Sequence, residues 1–101
     1  MTLVPERIEE AFKSLFQREG ISPLDYRVFV NPASGKGRYY AQVVWDGFDA
    51  MSVTSRQTWI WERLRKVAPI EACHHLSMVL ARSTKEFVIA DELAYKSGDR
   101  Y

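Results

Sequence analysis

The spacing of apolar residues predicts two long helices in this chain. In residues 5–18, apolar side chains recur at intervals of three and four positions, as on one face of a helix. They are Ile8, Ala11, Phe12, Leu15 and Phe16. Residues 55–67 repeat the pattern with Ile60, Leu64 and Val67, flanked by Trp59 or Trp61. Pro69 follows, and because proline cannot continue a helix, it marks the end of the second one.

Alternating apolar and polar positions predict three strands. The segments 25–31, 38–46 and 74–82 are rich in aromatic and β-branched residues, which favour extended backbone. The stretch N-P-A-S-G-K-G between the first two is turn sequence, so these strands should form an antiparallel hairpin. In the third strand one face is expected to carry His74, Leu76 and Met78, and the other His75, Ser77 and Val79.

The end of the chain predicts a further helix. Ser83, followed three residues later by Glu86, has the form of a capping box, in which each residue binds the other's backbone N–H. This helix should run to about residue 95, with Phe87, Ala90 and Ala94 along one side. Residues 96–101 are expected to form a flexible tail.

The resulting element order is α-β-β-α-β-α, which predicts one α+β domain with a structured core over residues 5–95. A right-handed helical crossover between the second and third strands makes them parallel if they are neighbours. The expected architecture is a three-stranded mixed sheet with helices packed on one face. With 101 residues, the chain is long enough for one hydrophobic core.

Charge is nearly balanced over the whole chain, with 14 basic and 13 acidic residues, but not along it. Residues 27–66 hold seven basic and three acidic residues, a pattern more typical of a solvated face than of a nucleic-acid site. Cys73 is the single cysteine, which favours a reducing compartment. The start of the chain lacks a signal-peptide pattern and no apolar run has membrane-spanning length, so a cytoplasmic protein is expected.

Residues 48–64 resemble the signature of BolA-like proteins, which is roughly F-x-G-x-x-x-x-x-R-H-R-x-V-Y-x-x-L. The matching positions are Phe48, Arg56, Ile60, Trp61 and Leu64. Downstream, H-H-L-S-M is similar to the family's H-A-L-S-L strand and places His74 on its characteristic histidine, while residues 84–87 resemble its T-P-E-E-W helix start. The resemblance covers about residues 5–95 and implies the BolA fold, which is related to the type II KH fold.

The resemblance also implies a function. BolA-like proteins are non-enzymatic adaptors or regulators that partner monothiol glutaredoxins around a [2Fe–2S] cluster, and some bind DNA. It implies a partner-binding surface of Arg56, Gln57 and His74, with His74 supplying one ligand to a shared cluster. The alternative for His74 is a hydrogen-bonded structural histidine.

This chain departs from the family pattern at several positions. Ala50 replaces a glycine, Gln57 replaces the histidine after the central arginine, and residues 31–37 lack the His or Cys that the family's hairpin loop often carries. A divergent member is therefore implied.

Nucleic-acid binding is the main alternative. Its candidate phosphate contacts are Lys36, Arg38, Arg56, Arg63, Arg65 and Lys66, with Trp59 or Trp61 available to stack on bases. However, residues 49–55 lack the G-x-x-G loop with which KH domains clamp a nucleic-acid backbone. Dimerisation through an exposed sheet edge is a third possibility, giving a monomer or a weak homodimer.

Enzymatic chemistry is the least favoured function. No Ser-His-acid or Cys-His-acid grouping is supported by spacing, and neighbouring residues in a strand point to opposite faces, which would separate Cys73 from His74. C-H-H also lacks a second ligand pair at zinc spacing. The S-G-K-G loop is favoured as a hairpin tip rather than a phosphate-binding loop, because it lacks the rest of a Walker motif.

Overall fold

The computed structural model describes residues 4–68 and 70–88. The chain begins with helix α1 (Val4–Arg18), followed by strands β1 (Tyr26–Pro32) and β2 (Tyr39–Trp45). A 3-10 helix (Asp46–Ala50) leads into α2 (Val53–Val67), a short helix α3 (Ile70–His75) and strand β3 (Leu76–Arg82). Residues 84–88 are helical. No helix within these described ranges is long and apolar enough to cross a membrane.

The strands form one mixed sheet in the order β1-β2-β3. β1 and β2 pair antiparallel, from Tyr26 opposite Trp45 to Pro32 opposite Tyr39. β2 and β3 pair parallel. The predicted α+β fold with a three-stranded mixed sheet is thus confirmed, as are the hairpin and the parallel third strand.

Both predicted apolar helix faces lie in the core. The side chains of α1 that are buried are the five predicted from spacing, namely Ile8, Ala11, Phe12, Leu15 and Phe16. α2 buries Ile60 and Leu64 against them. Each of these apolar side chains contributes roughly 1.5–3 kcal/mol when it is fully removed from water, apart from the smaller Ala11. This burial fixes α1 and α2 on one face of the sheet.

Aromatic rings fill the space between α1, α2 and the end of β2. Phe16 stacks on Tyr26 at 4.2 Å between ring centroids, and Trp45 stacks on Trp59 at 5.0 Å. Phe48 meets the edges of both tryptophan rings. Trp45 also lies over Gly47, where an added Cβ would come within 2.2 Å of the indole ring. Gly47 is therefore required by close ring packing.

The start of β3 differs from the prediction. The strand was expected to begin at His74, but both histidines end α3 and the strand begins at Leu76. The predicted grouping of Leu76 with Met78 is also wrong, because the pairing skips Ser77: Leu76 is opposite Tyr39 and Met78 opposite Tyr40. This bulge shifts the alternation by one residue.

The consequence of the bulge is visible in burial. Leu76 and Val79 are both in the core although they are three positions apart, whereas Met78 is 50% exposed. Ser77, the extra residue, uses its hydroxyl to donate a hydrogen bond to the Tyr39 carbonyl at 3.0 Å. A prediction that assumes strict alternation of strand side chains cannot anticipate this bulge.

The predicted capping box at Ser83 and Glu86 is confirmed. The Ser83 N–H donates to Glu86 Oε1 at 2.8 Å, and the Glu86 N–H donates to Ser83 Oγ at 3.3 Å.

The helical residues 84–88 bring Phe87 onto Phe29, with the rings parallel at 5.9 Å. Phe29 lies on the opposite face from Tyr26 and Val28 because strand side chains alternate. The prediction that the helices pack on one face of the sheet therefore holds for α1 and α2. Phe87 covers part of the opposite face. The predicted helix continuation to residue 95 and the tail at 96–101 lie outside the described residues.

Candidate functional site

Arg56, a predicted partner and phosphate contact, is buried instead. Only 6% of the residue is exposed. Its Nε donates to the Met51 carbonyl at 3.1 Å, and its Nη1 donates to the Ala81 carbonyl at 3.1 Å. The guanidinium also forms a two-bond pair with the Glu86 carboxylate, at 2.6 and 3.0 Å. Nearly all its donors are used inside the molecule, so Arg56 is not part of an accessible surface.

Glu86 is the counter-ion that makes this burial tolerable. The two hydrogen bonds from Arg56, with help from the Ser83 N–H, lower the pKa of Glu86 from 4.5 to about 2. One carboxylate therefore caps the segment that begins at residue 84 and neutralises a cation from α2. The pair joins α2, the end of β3 and the start of the last described helix.

Gln57, the second predicted partner contact, is half-buried. Its side-chain amide donates to the Val79 carbonyl at 2.8 Å, and its Oε1 accepts a hydrogen bond from the Trp61 indole at 3.2 Å. Gln57 therefore joins α2 to β3. The geometry gives it a structural role, and the resemblance alone supports a partner contact.

Arg63 is held in place by Glu19, just after α1, and by Trp59 on α2. Its Nε donates to Glu19 at 2.8 Å, and its guanidinium carbon lies 4.4 Å from the Trp59 ring centroid. Both the carboxylate and the ring satisfy the positive charge. Trp59 is packed in the aromatic core with Arg63 over its ring, so it is not free to stack on a base. Trp61 is half-buried and donates its indole N–H to Gln57.

We call the region around Trp45, Arg56, Gln57 and Glu86 the closed end of the domain. It lies where β2 and β3 finish, since Trp45 ends β2 and Arg56 binds the carbonyl of Ala81 near the end of β3, while Gln57 reaches the middle of β3 at Val79. α2 starts here and runs back along the sheet. At this end its Arg56 and Gln57 side chains bind other parts of the protein.

The opposite end gathers most of the remaining candidates. The last turn of α2 leads into α3, whose final residue, His75, reaches the hairpin tip: His75 Nδ1 lies 2.8 Å from the Gly37 carbonyl oxygen. We call this the basic end, formed by the hairpin tip at 33–38, the last turn of α2, and α3. Its exposed basic residues are Lys36, Arg38, Arg65 and Lys66, together with the exposed His74.

The two histidines differ in how they are held. A carbonyl oxygen can only accept a hydrogen bond, so Nδ1 of His75 carries the proton and donates to Gly37. In the neutral ring this leaves Nε2 as the nitrogen with a free lone pair, the arrangement commonly found in metal-binding histidines. His74 is exposed. The sequence did not predict the contact of His75 with Gly37, because nothing local links this histidine to a hairpin residue 38 positions away.

Cys73 faces away from a shared site with the histidines. It lines an apolar gap of the core with Ile8, Ala11, Leu64, Ala68 and Leu76. Burial raises the pKa of its thiol, and the positive charge of Arg65 only partly opposes this. Cys73 is thus a poor thiolate donor at neutral pH.

The donors that the structure describes do not form a complete metal site. Within the described ranges, no group of three or more His, Cys, Asp or Glu side chains is placed to hold a metal ion. The basic end offers imidazole nitrogens and no thiolate. A shared cluster would therefore fit only if a partner supplied the sulfur ligands.

Comparisons of the chain with protein-family models, with curated proteins and with solved structures find no match. The BolA-like resemblance accordingly stays a prediction that rests on the residues quoted for it.

Proposed function

We propose that this chain is a non-enzymatic adaptor or regulator of BolA type, which binds a monothiol glutaredoxin through its basic end and helps to hold a shared [2Fe–2S] cluster. The observation that supports this is the exposure of His74 beside His75, whose ring is oriented by Gly37. Both imidazoles lie at one accessible end of the domain. Arg56 and Gln57 support this surface from a distance by fixing α2 on the sheet.

The cluster chemistry would be divided between the two proteins. Imidazole nitrogen from this chain suits iron, whereas cluster formation also requires thiolates. Cys73 is directed into the core, so those thiolates would come from the partner's cysteine and from glutathione. The role left to this chain is to orient an imidazole and present a docking surface around it.

The test is anaerobic reconstitution with a monothiol glutaredoxin, glutathione, iron and sulfide. Co-elution of the two proteins and a visible absorption or circular dichroism spectrum that differs from that of glutaredoxin alone are the expected results. His74→Gln should alter the spectrum, whereas Lys85→Gln, an exposed change elsewhere, should not. The absence of both complex and cluster absorption would refute this proposal.

Nucleic-acid binding is the second candidate, and the exposure of four basic side chains at one end favours keeping it. Arg56 no longer belongs to its surface because it is buried, and Arg63, whose side chain is 31% exposed, is already paired with Glu19. The remaining contacts are Lys36, Arg38, Arg65 and Lys66. Each phosphate that is neutralised makes affinity fall more steeply with salt.

This candidate is tested with single-stranded DNA and RNA in a salt titration. The double substitution Arg65→Ala and Lys66→Ala should weaken binding and flatten the salt dependence. The double substitution Lys13→Ala and Lys85→Ala, which removes two exposed charges outside the basic end, is the matched control. Affinity that is absent at low salt, or that is equal in the two variants, would eliminate the nucleic-acid function.

A further inference from the structure

The two outer edges of the sheet are treated differently. Along β3, the outward carbonyl of Val79 accepts a hydrogen bond from Gln57 and that of Ala81 accepts one from Arg56. Side chains of α2 thus occupy the positions where another strand would have to bind. The β3 edge is closed to strand addition.

The β1 edge has no such protection among the residues the structure describes. Ala33 N–H donates to the Arg38 carbonyl at 2.9 Å, which continues the β1–β2 register and identifies this pair as hydrogen-bonded. Because hydrogen-bonded pairs alternate in an antiparallel ladder, Arg27, Phe29 and Asn31 direct their backbone groups to β2.

The intervening residues Tyr26, Val28 and Val30 therefore direct their N–H and C=O groups outward. No backbone or side-chain partner in the described part of the chain binds them. Such a row of unpaired groups is a template for another strand.

We propose that β1 pairs antiparallel with β1 of a second copy of this chain, about a two-fold axis through Val28, so that the two sheets become continuous. This register places Val28 opposite Val28, and Tyr26 opposite Val30 of the second copy. Every outward N–H and C=O of these three residues then gains a partner. Shifting the axis to Phe29 would instead place Tyr26 opposite Pro32, which has no N–H to donate.

The side chains fit the same register. Arg27 is the only charged residue in β1, and pairing about Val28 places it opposite Phe29 of the second copy, a cation–aromatic contact. The two arginines are never opposite each other, so no like-charge pair is created. Phe29 is 38% exposed and available for this contact. This match of the strand to itself favours a second copy over an unrelated peptide.

The test is sedimentation of the full chain over a concentration series, with Val28→Pro as the diagnostic variant. Proline removes an outward N–H that β2 does not use. Because the Val28 side chain also packs against the core, we expect a folded protein of lower stability whose dimer dissociation constant rises by at least about tenfold. Met78→Ser is the control, since it removes an exposed apolar side chain from the sheet face. Circular dichroism checks that both variants fold.

A second measurement does not depend on any variant. Hydrogen exchange of the Tyr26, Val28 and Val30 amides in the unmodified protein should slow at high concentration, whereas exchange in the rest of the described sheet should not. A protein that stays monomeric throughout, or a dimer weakened by Met78→Ser and not by Val28→Pro, would overturn the proposal. The proposal would also be overturned if exchange of these three amides did not depend on protein concentration.

Discussion

The closed end and the basic end of this domain use similar residues in opposite ways. α2 contributes arginines to both: Arg56 at its start is buried against a carboxylate, while Arg65 near its finish is exposed. At the closed end the cation joins three segments of the chain and becomes part of the fold. At the basic end the cationic side chains are exposed to solvent and available to bind a partner. Residue type alone does not separate structure from function here; the environment does.

The largest expected effect is at Arg56. Arg56→Ala removes the ion pair with Glu86 and leaves the carbonyls of Met51 and Ala81 without their donor. Removing one member of a fully buried pair costs about 3–5 kcal/mol, and because Glu86 is 41% exposed, we expect about 3 kcal/mol less free energy of unfolding. Urea unfolding followed by tryptophan fluorescence measures it.

Arg65→Ala is the matched change at the basic end, in the same helix and of the same residue type. Because Arg65 is exposed, its removal should alter the free energy of unfolding by less than about 0.5 kcal/mol. Equal losses in the two variants would remove the distinction between the ends.

The next effect in size concerns packing at the closed end. Gly47→Ala would place a Cβ 2.2 Å from the Trp45 ring, which must then shift away from Phe48 and Trp59. Overpacking of this kind costs about 1–3 kcal/mol. The measurement is the urea midpoint together with near-ultraviolet circular dichroism, which reports the packing of the indoles. Gly20→Ala is the control for steric crowding, since an added Cβ there meets nothing within 4 Å.

The control has its own cost, which is conformational. Gly20 has φ +75, a left-handed backbone that alanine adopts at a cost of about 1–2 kcal/mol. It should therefore lose stability without changing the near-ultraviolet spectrum. A spectrum unchanged by Gly47→Ala would show that the ring packing does not depend on Gly47.

Acid should weaken the closed end through Glu86. The pKa of Glu86 is about 2 when folded, below its ordinary 4.5, so the folded state favours the carboxylate. The contribution of Glu86 to the free energy of unfolding is present above pH 4.5 and is lost as the pH falls towards 2. Since Glu86 is partly exposed, we expect a contribution of only about 1 kcal/mol.

Glu86→Gln isolates this contribution from that of the other carboxylates. The difference in free energy of unfolding between the original protein and this variant should shrink between pH 4.5 and 2, when measured by urea unfolding at each pH. Glu62→Gln, an exposed change on α2, should show no such convergence. A difference that stays constant over this range would argue against the Arg56 pairing.

Sequence patterns predicted the features that depend on local spacing. The apolar face of α1, the hairpin and the Ser83–Glu86 capping box are each encoded within a few residues, and all are confirmed. The parallel pairing of β3 followed from the right-handed helical crossover between β2 and β3. Local periodicity was thus sufficient for the fold class.

Features that depend on distant contacts were not predictable in this way. Arg56 matched a signature position, but its burial depends on Glu86, 30 residues away. The bulge at Ser77 and the short helix ending at His75 arise where β3 must fit beside β2. The local sequence pattern could not predict these features, because each depends on a contact with a residue far along the chain.

The smallest expected effect separates the two histidines of the basic end. His75→Gln should lose the well-aligned donor to Gly37, a hydrogen bond worth about 0.5–1.5 kcal/mol, and we expect the lower part of that range at this partly exposed position. His74→Gln should change the free energy of unfolding by less than about 0.5 kcal/mol because His74 is exposed. Hydrogen exchange at Gly35 and Gly37 reports the same contact locally and should quicken only in His75→Gln. If both variants behave alike, the imidazole of His75 is not anchored to the hairpin, and the structural difference between the two histidines does not hold.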